Sequence, residues 1–433
     1  MDDFQYRDGQ LHCEEVNLDD LAQRVGTPAY VYSRRTFEQH YDRIARAFAA
    51  VEPTICYSIK SCGNVHILRL LADRGAGMDV VSGGELHRAG MAGAPMSKVV
   101  YAGVGKTDGE IRQAIEARIG YVNIESEAEF ENIASIARAM GQTATGALRI
   151  NPDVDPRTHA KTTTGTRETK FGVDLQRAMH FFEVYGRDEH CRLTALHLHI
   201  GSPVYSVEPY VQAVTKALDL IDQLRAAGFE ITALDIGGGY GADYETDQTP
   251  AYTSYAEALV PLLQPFVDSG GKVILEPGRT IACNAGVLLT RVLYIKMGGA
   301  KKFIIVDSGM HHLIRPAMYD SFHFVWPSSV APAHVPAEHL RQMPIEGLEP
   351  ADVVGPICET GDALAKDRPL PPVARGDLLC VFSAGAYGMA MSSNYNAMCR
   401  PAELLISGDK ASVIRARETY DDLTAQELTS PQT

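Results

Sequence analysis

Lys60 closes the apolar run TICYSIK (54–60). A lysine ending such a run is costly to bury as an ammonium. Desolvation lowers its pKa and leaves an amine able to attack a carbonyl, which suits Schiff-base chemistry. The competing reading is a lysine that snorkels to solvent. Gly237, Gly238 and Gly239 end a second run, ITALDIGGG (231–239), and Glu276-Pro277-Gly278-Arg279 ends a third, which begins KVILEPG (272–278). Glycines after a strand let backbone N–H groups approach an anion, although a glycine run by itself is also a turn. His197 and His199 form an HLH on a strand, so both point to one face. Such a pair can ligate zinc, but further ligands at suitable spacing are hard to find, so no metal site is assigned. A ring at a strand end, stacked on a flat cofactor, suits His199. His197, two residues deeper, reads as a satisfied core histidine.

A lysine, a phosphate cradle, a stacking ring and a carboxylate together describe a pyridoxal phosphate site. Glu276 is the informative member. A carboxylate beside the pyridine nitrogen keeps it protonated, which makes the ring a strong electron sink and favours decarboxylation over racemisation. Cys358 lies outside this set, in GPICETGD (355–362), directly before Glu359. Nothing near it in the sequence resembles a metal site or a disulfide partner.

These residues need elements to hold them. Short β-branched runs recur at 54–60, 76–82, 98–103, 121–126, 146–151, 193–201, 231–239 and 272–278. Amphipathic stretches such as NVHILRLLADRG and EAEFENIASIARAMG lie between them, with Leu68, Leu71 and Ala72, or Phe130, Ile133, Ala134 and Ala137, on one face. Strand–helix repeats imply parallel strands. An open doubly wound sheet is the rival, but eight repeats over about 250 residues match a (β/α)8 barrel, whose function collects at the C-terminal strand ends. Lys60, Asp79, Arg149, His199, Gly237–Gly239 and Glu276–Arg279 all stand at those ends. After residue 280 the runs GVLLTRVLYIKM, KKFIIVDSGM, DLLCVFSAGAYG and AELLISG read as an all-β domain, and PAYVYS near the start is expected to add a strand to it. The expected division is an N-terminal segment over 1–35, a barrel over 36–282 and a β domain over 283–433.

The bulk numbers narrow the partners. The chain has 433 residues, 45% hydrophobic content and a net charge of −14. An acidic chain repels phosphate backbones, which argues against nucleic-acid binding. The polar, acidic MDDFQYRDGQ start lacks the basic and apolar regions of a signal peptide. No apolar run reaches the ~18 residues that span a membrane. The eight cysteines are scattered without a CxxC pair, so reduced thiols in a cytoplasmic protein are expected.

The motifs YSIKSCGN, MDVVSGGEL, LRINP, TKFG, HLHIGS, DIGGGYG, EPGR, LIRPAMYD, CETGD and GAYGMAMSSNYN follow in this order over roughly residues 5–420. In this the sequence resembles the diaminopimelate decarboxylases, barrel-type pyridoxal phosphate enzymes related to ornithine decarboxylases and alanine racemases. The resemblance implies decarboxylation of meso-2,6-diaminopimelate to L-lysine, the last step of bacterial-type lysine biosynthesis. It implies that Lys60 carries the cofactor, that His199 stacks on the ring and that Glu276 pairs with its nitrogen. Ser202, the Gly237–Gly239 run, the Glu276–Arg279 turn (with Pro277 and Gly278) and Tyr387 would hold the phosphate. Arg279, Arg315, Tyr319, Glu359 and Tyr387 would grip the substrate, and Cys358 would donate the proton. From the residues alone, Arg315 reads as a surface or interface ion pair. The resemblance further implies a head-to-tail homodimer in which the Cys-Glu loop enters the neighbour's barrel.

Two departures stand out: Lys60 sits in YSIKS rather than the family's commoner context, and Thr360 replaces a commoner serine. Neither removes a group that the chemistry requires. The alternatives are a decarboxylase of ornithine or lysine, whose site would not need Arg279 and Arg315 together; a racemase, which Glu276 disfavours; and a non-catalytic regulatory relative, which would not need both Lys60 and Cys358.

Overall fold

The computed structural model describes residues 2–155 and 170–428, so Thr169 of the TKFG motif and the last five residues lie outside it. The chain divides into two compact units, one of residues 40–241 and 249–280, the other of 1–39, 242–248 and 281–433.

The first unit is a closed parallel barrel. Its strands are β1 (Thr54–Ser58), β2 (Gly77–Val80), β3 (Val99–Tyr101), β4 (Tyr121–Ile124), β5 (Ala144–Asn151), β6 (Cys191–Leu198), β7 (Ala233–Asp235) and β8 (Lys272–Leu275). Six of them fall within the expected runs, and β5 and β6 begin two residues before theirs, which were read as 146–151 and 193–201. Neighbours pair in sequence order, and β8 returns to β1 with Ile274 opposite Thr54 and Leu275 opposite Ile55. The runs are buried almost throughout, as strands covered on both faces must be. Cys56, Val100, Ala147, Ala195, Ala233 and Ile274, from six different strands, pack into one layer of the core. Tyr121, partly buried, packs against this layer.

The intervening helices bury the stripes that their spacing predicts. Glu127–Ala139 buries Phe130, Ile133, Ala134 and Ala137, and Val65–Ala72 buries Leu68 and Leu71. Several begin just past a strand end with a side-chain cap. Ser82 caps Gly83–Ala92, and Thr107 with Glu110 forms a reciprocal capping box on Asp108–Glu116. The caps fix where each strand-to-helix loop stops, and those loops carry the polar residues.

The second unit is mostly sheet. Its long strand Gly286–Gly298 pairs antiparallel with Lys301–Val306, Leu378–Val381 and Ala29–Ser33. The N-terminal strand Ala29–Ser33 also pairs in parallel with Ala402–Ser407, so the start of the chain lies inside this sheet. All five of its residues are buried, and the Tyr32 hydroxyl donates to Glu403 at 2.8 Å. Strands with charged or Pro-containing sequences, Glu349–Val354, Ala363–Leu370 and Lys410–Arg415, escape a reading by β-branched runs. So does the small sheet of Phe4–Arg7, Gln10–Cys13 and Val16–Asn17. Among the described residues no helix is long and apolar enough to cross a membrane.

Candidate active site

The barrel strands deliver their polar residues to one end. Lys60 follows β1 in a single 3-10 turn, and its Nζ donates to Asp79 Oδ2 at the end of β2, 2.6 Å away. The Ser58 hydroxyl donates to the same oxygen at 2.5 Å. Asp79 is fully buried, whereas the Lys60 side chain keeps 37% exposure. Of the two readings of its strand-end position, the lysine that reaches toward the barrel mouth fits this exposure, and Asp79 is its ion-pair partner there. Burial and the nearby Glu276 raise the Asp79 carboxyl, and Lys60 opposes them.

His199 is held by backbone. Its Nδ1 accepts the Gly238 N–H at 3.3 Å, so that nitrogen carries no proton. Desolvation, followed by Arg149 and Lys60, lowers its pKa to about 3, so the ring is neutral. Arg149 itself is buried and bound to Glu125 at 2.8 Å.

His197 departs from the sequence reading. It is buried, but it is not satisfied: Nδ1 has no partner and Nε2 lies 3.4 Å from Glu276 Oε2. Asp235, at the end of β7, joins them, and one donor atom from each of His197, Asp235 and Glu276 lies within 4.8 Å of the other two. The sequence spacing had hidden these neighbours because each comes from a different strand. Desolvation would raise the Glu276 carboxyl, but the facing His197, with Lys60, outweighs it and holds Glu276 ionised.

The glycine run is shaped by backbone packing. A Cβ on Gly238 would lie 2.1 Å from the Glu276 carbonyl oxygen, and one on Gly239 would lie 2.1 Å from the Gly201 carbonyl oxygen. Not all three N–H groups face an anion, however. The Gly237 N–H donates to Asp235 at 2.9 Å and the Gly238 N–H to His199, while the Gly239 N–H makes no hydrogen bond among the described residues. Beside them Arg279 Nε donates to Ser202 Oγ at 3.1 Å, and the Pro277 carbonyl accepts the Ser58 N–H at 3.1 Å. Gly278 packs so closely on Ser58 that a Cβ there would come within 2.7 Å of the Ser58 Cβ.

The sheet unit carries the other residues singled out in the sequence. Arg315 opens the short helix Arg315–Tyr319 and is buried. Its guanidinium lies over the Tyr244 ring at 4.7 Å and donates to the Tyr244 hydroxyl at 2.5 Å and to Ser321 at 3.1 Å. Its Nε has no partner, and no carboxylate pairs with it among the described residues. It is therefore not the surface ion pair that the residues alone suggested. Tyr319, half-buried, ends the same helix, and Tyr387, also half-buried, holds a left-handed backbone at φ 56°.

Cys358 and Glu359 are exposed on a loop closed by Asp362. The Asp362 carboxylate accepts the N–H groups of Ile357 at 2.7 Å and Met310 at 2.6 Å. A second segment braces the tip: Asn396 Oδ1 accepts the Cys358 N–H at 2.9 Å, and Tyr395 donates to Glu359. Asp362, Tyr395 and Asn396 were not singled out from the sequence.

Residues 34–283 match the family model of the pyridoxal-dependent decarboxylases, pyridoxal binding domain. A diaminopimelate decarboxylase of Aquifex aeolicus is 44% identical over 98% of this chain and 97% of its own length. The chain belongs to the diaminopimelate decarboxylase family. A Haemophilus influenzae diaminopimelate decarboxylase is 41% identical over 99% of the chain and 100% of its own. The crystal structure of the M. jannaschii diaminopimelate decarboxylase in complex with L-lysine superposes with a TM-score of 0.91 at 36% identity, covering 99% of this chain and 98% of that one.

The cofactor of this diaminopimelate decarboxylase family, pyridoxal phosphate, fits the residues present. The barrel end offers an accessible lysine, a neutral imidazole, glycines too tightly packed to accept a side chain, and Glu276. The Glu276 Oε1 is buried without a partner, and an ionised carboxylate in that state calls for a cationic or N–H ligand.

Proposed function

We propose that this protein decarboxylates meso-2,6-diaminopimelate to L-lysine and CO2. The family supports the reaction class, and the buried Arg315, without a carboxylate partner among the described residues, is the observation that carries the substrate. A guanidinium taken out of water is destabilised until an anion pairs with it, and a carboxylate meets its fork with two charge-assisted hydrogen bonds. Of the two ends of diaminopimelate, the distal one supplies that anion.

Pyridoxal phosphate, when bound, supplies an electron sink for cleaving the bond to the carboxylate beside an amine. Lys60 would hold it covalently, with Asp79 orienting the lysine. His199 would cover one face of its ring, Glu276 would meet the ring nitrogen, and Ser202, Gly239, the Glu276–Arg279 turn and Tyr387 would take the phosphate. Arg279, Arg315 and Tyr319 would bind the distal carboxylate, and Glu359 the distal ammonium. Cys358 Sγ would deliver a proton to the carbon that loses CO2.

The exposure of Cys358 and Glu359 on a braced loop supports a homodimer in which each active site takes Lys60 from one protomer and the partner subunit's Cys358. The eight free cysteines fit a reducing compartment such as the cytoplasm.

Release of CO2 from meso-diaminopimelate, L-lysine and L-ornithine by the pyridoxal phosphate-loaded protein tests the reading. Diaminopimelate is expected to react. Lysine and ornithine leave the arginines unpaired and are expected to lag by at least ~100-fold in kcat/KM. Comparable turnover of ornithine or lysine would overturn it.

A further inference from the structure

Three buried groups meet beneath the barrel mouth: His197 from β6, Asp235 from β7 and Glu276 from the end of β8. The relative exposures are 1%, 1% and 5%. His197 faces Glu276 Oε2, but among the described residues Asp235 Oδ2 has no hydrogen-bond partner, and neither has Glu276 Oε1. The other Asp235 oxygen accepts the N–H of Gly237 at 2.9 Å. Two carboxylates this close in a dry interior cannot both be ionised, because each raises the proton affinity of the other. One proton must therefore stay with the pair.

We propose that Asp235 holds that proton as a neutral acid and acts as a positioning residue, making Glu276 a weaker base than the cofactor's ring nitrogen. The inference rests on the proposed pairing of Glu276 with that nitrogen. A hydrogen-bond donor facing a carboxylate favours its ionised form, so a neutral Asp235 keeps the negative charge on Glu276 and leaves the proton on the ring. The surroundings assign the proton to Asp235 rather than to Glu276. His197 and Lys60 face Glu276 and favour its anion, whereas burial, Glu276 and Asp79 disfavour an anion on Asp235, where the Gly237 N–H opposes them. Cys56 from β1 faces the same cluster, and burial holds its thiol protonated. The Gly237 bond and the lone Oδ2 also fit the shape of a carboxylic acid, one oxygen accepting and the other carrying the hydrogen.

The test uses holoenzyme loaded with pyridoxal phosphate labelled with 15N in the ring, whose resonance reports whether that nitrogen carries a proton. Wild type is expected to show a protonated nitrogen. Asp235→Asn keeps an acceptor for Gly237 and a neutral donor for Glu276, and is expected to match it. Asp235→Ala is expected to shift the resonance toward the unprotonated ring, with kcat falling at least ~10-fold, as for other residues that tune a ligand through a neighbour. An aspartate that only capped Gly237 would leave the ring protonated in Asp235→Ala, which would overturn the proposal. An unprotonated ring in Asp235→Asn would also overturn it and would remain readable if the alanine variant failed to fold. An unprotonated ring in wild type would overturn both this inference and the Glu276 pairing on which it rests.

Discussion

The barrel end and the sheet unit treat their functional charges in opposite ways. At the barrel end most charges answer one another: Lys60 meets Asp79 at 2.6 Å, Arg149 meets Glu125 at 2.8 Å, and His197 faces Glu276, whose other oxygen awaits the cofactor. In the sheet unit Arg315 is buried with hydroxyl partners and no carboxylate among the described residues, while Cys358 and Glu359 stand in solvent on a braced loop. A set of charges that is internally compensated is rigid before any ligand arrives. A buried cation without a counter-ion, or an exposed thiol held in place by its neighbours, is complete only with something from outside. The first arrangement suits a resident cofactor. The second suits a substrate and a second subunit.

The largest test of that contrast removes the uncompensated cation. Arg315→Ala is expected to lower kcat/KM for diaminopimelate by at least ~100-fold, since a desolvated charged contact is worth ~2–5 kcal/mol. Cofactor binding, measured by absorbance, is expected to be unchanged. An unaltered kcat/KM would make Arg315 a structural residue, packed on Tyr244.

A smaller effect is expected from subunit mixing. Lys60→Ala and Cys358→Ala homodimers are each expected to be nearly inactive. After the two are unfolded together and refolded at equal amounts, half the dimers are mixed. In each of these one site carries both lesions and the other carries neither. Activity is expected to recover to roughly a quarter of wild type, as a two-fold interface with shared sites requires. Recovery no greater than that of the parents would place the cysteine within its own protomer's site.

The smallest effect separates the two units by pH. In the sheet unit the rings of His311 and His312 lie 3.6 Å apart at a tilt of 45°, and burial lowers their pKa values to about 4 and about 3. The unfolded chain binds protons near pH 6.5 and the folded one does not, so their contribution to stability is present above pH 6.5 and lost as pH falls toward 4. In the barrel, burial raises Glu85 from 4.5 to about 7, against a hydrogen bond from the Val81 N–H. There the sign reverses: stability is full below pH 4.5 and falls as pH rises through 7. His311→Asn is expected to shrink the drop in melting temperature between pH 7.5 and pH 5, and Glu85→Gln to gain more at pH 8 than at pH 5. Each change is expected to be a few degrees, about what ~1 kcal/mol produces in a chain of this size. Equal shifts at both pH values would mean that neither group titrates as its burial implies.

Much of the barrel was legible because its signal is local. Eight buried runs, each followed by an amphipathic stretch, repeat without the need for any long-range information. The sheet unit was harder. Ala29–Ser33 was readable as a strand because AYVYS is mostly apolar, but Ala363–Leu370 carries Lys366, Asp367, Arg368 and Pro369, which hide a strand that exposes Lys366 and Asp367 and buries Arg368. The site divided in the same way. Lys60, His199 and Glu276 stood out by type and by strand-end position. Asp235, Tyr395 and Asn396 did not, because each gains a role only from a neighbour remote in the chain.

Element order, family and the residue types that the chemistry needs could be read from the chain alone, since composition, periodicity and motif order are local properties. The state of those residues came from the fold. It paired Lys60 with Asp79 at the barrel mouth, turned His197 from a filler of the core into a partner of Glu276, and left Arg315 buried without a carboxylate among the described residues. The reason is that charge state and hydrogen-bonding depend on distance and local dielectric, and both are set by side chains that folding brings together from separate strands.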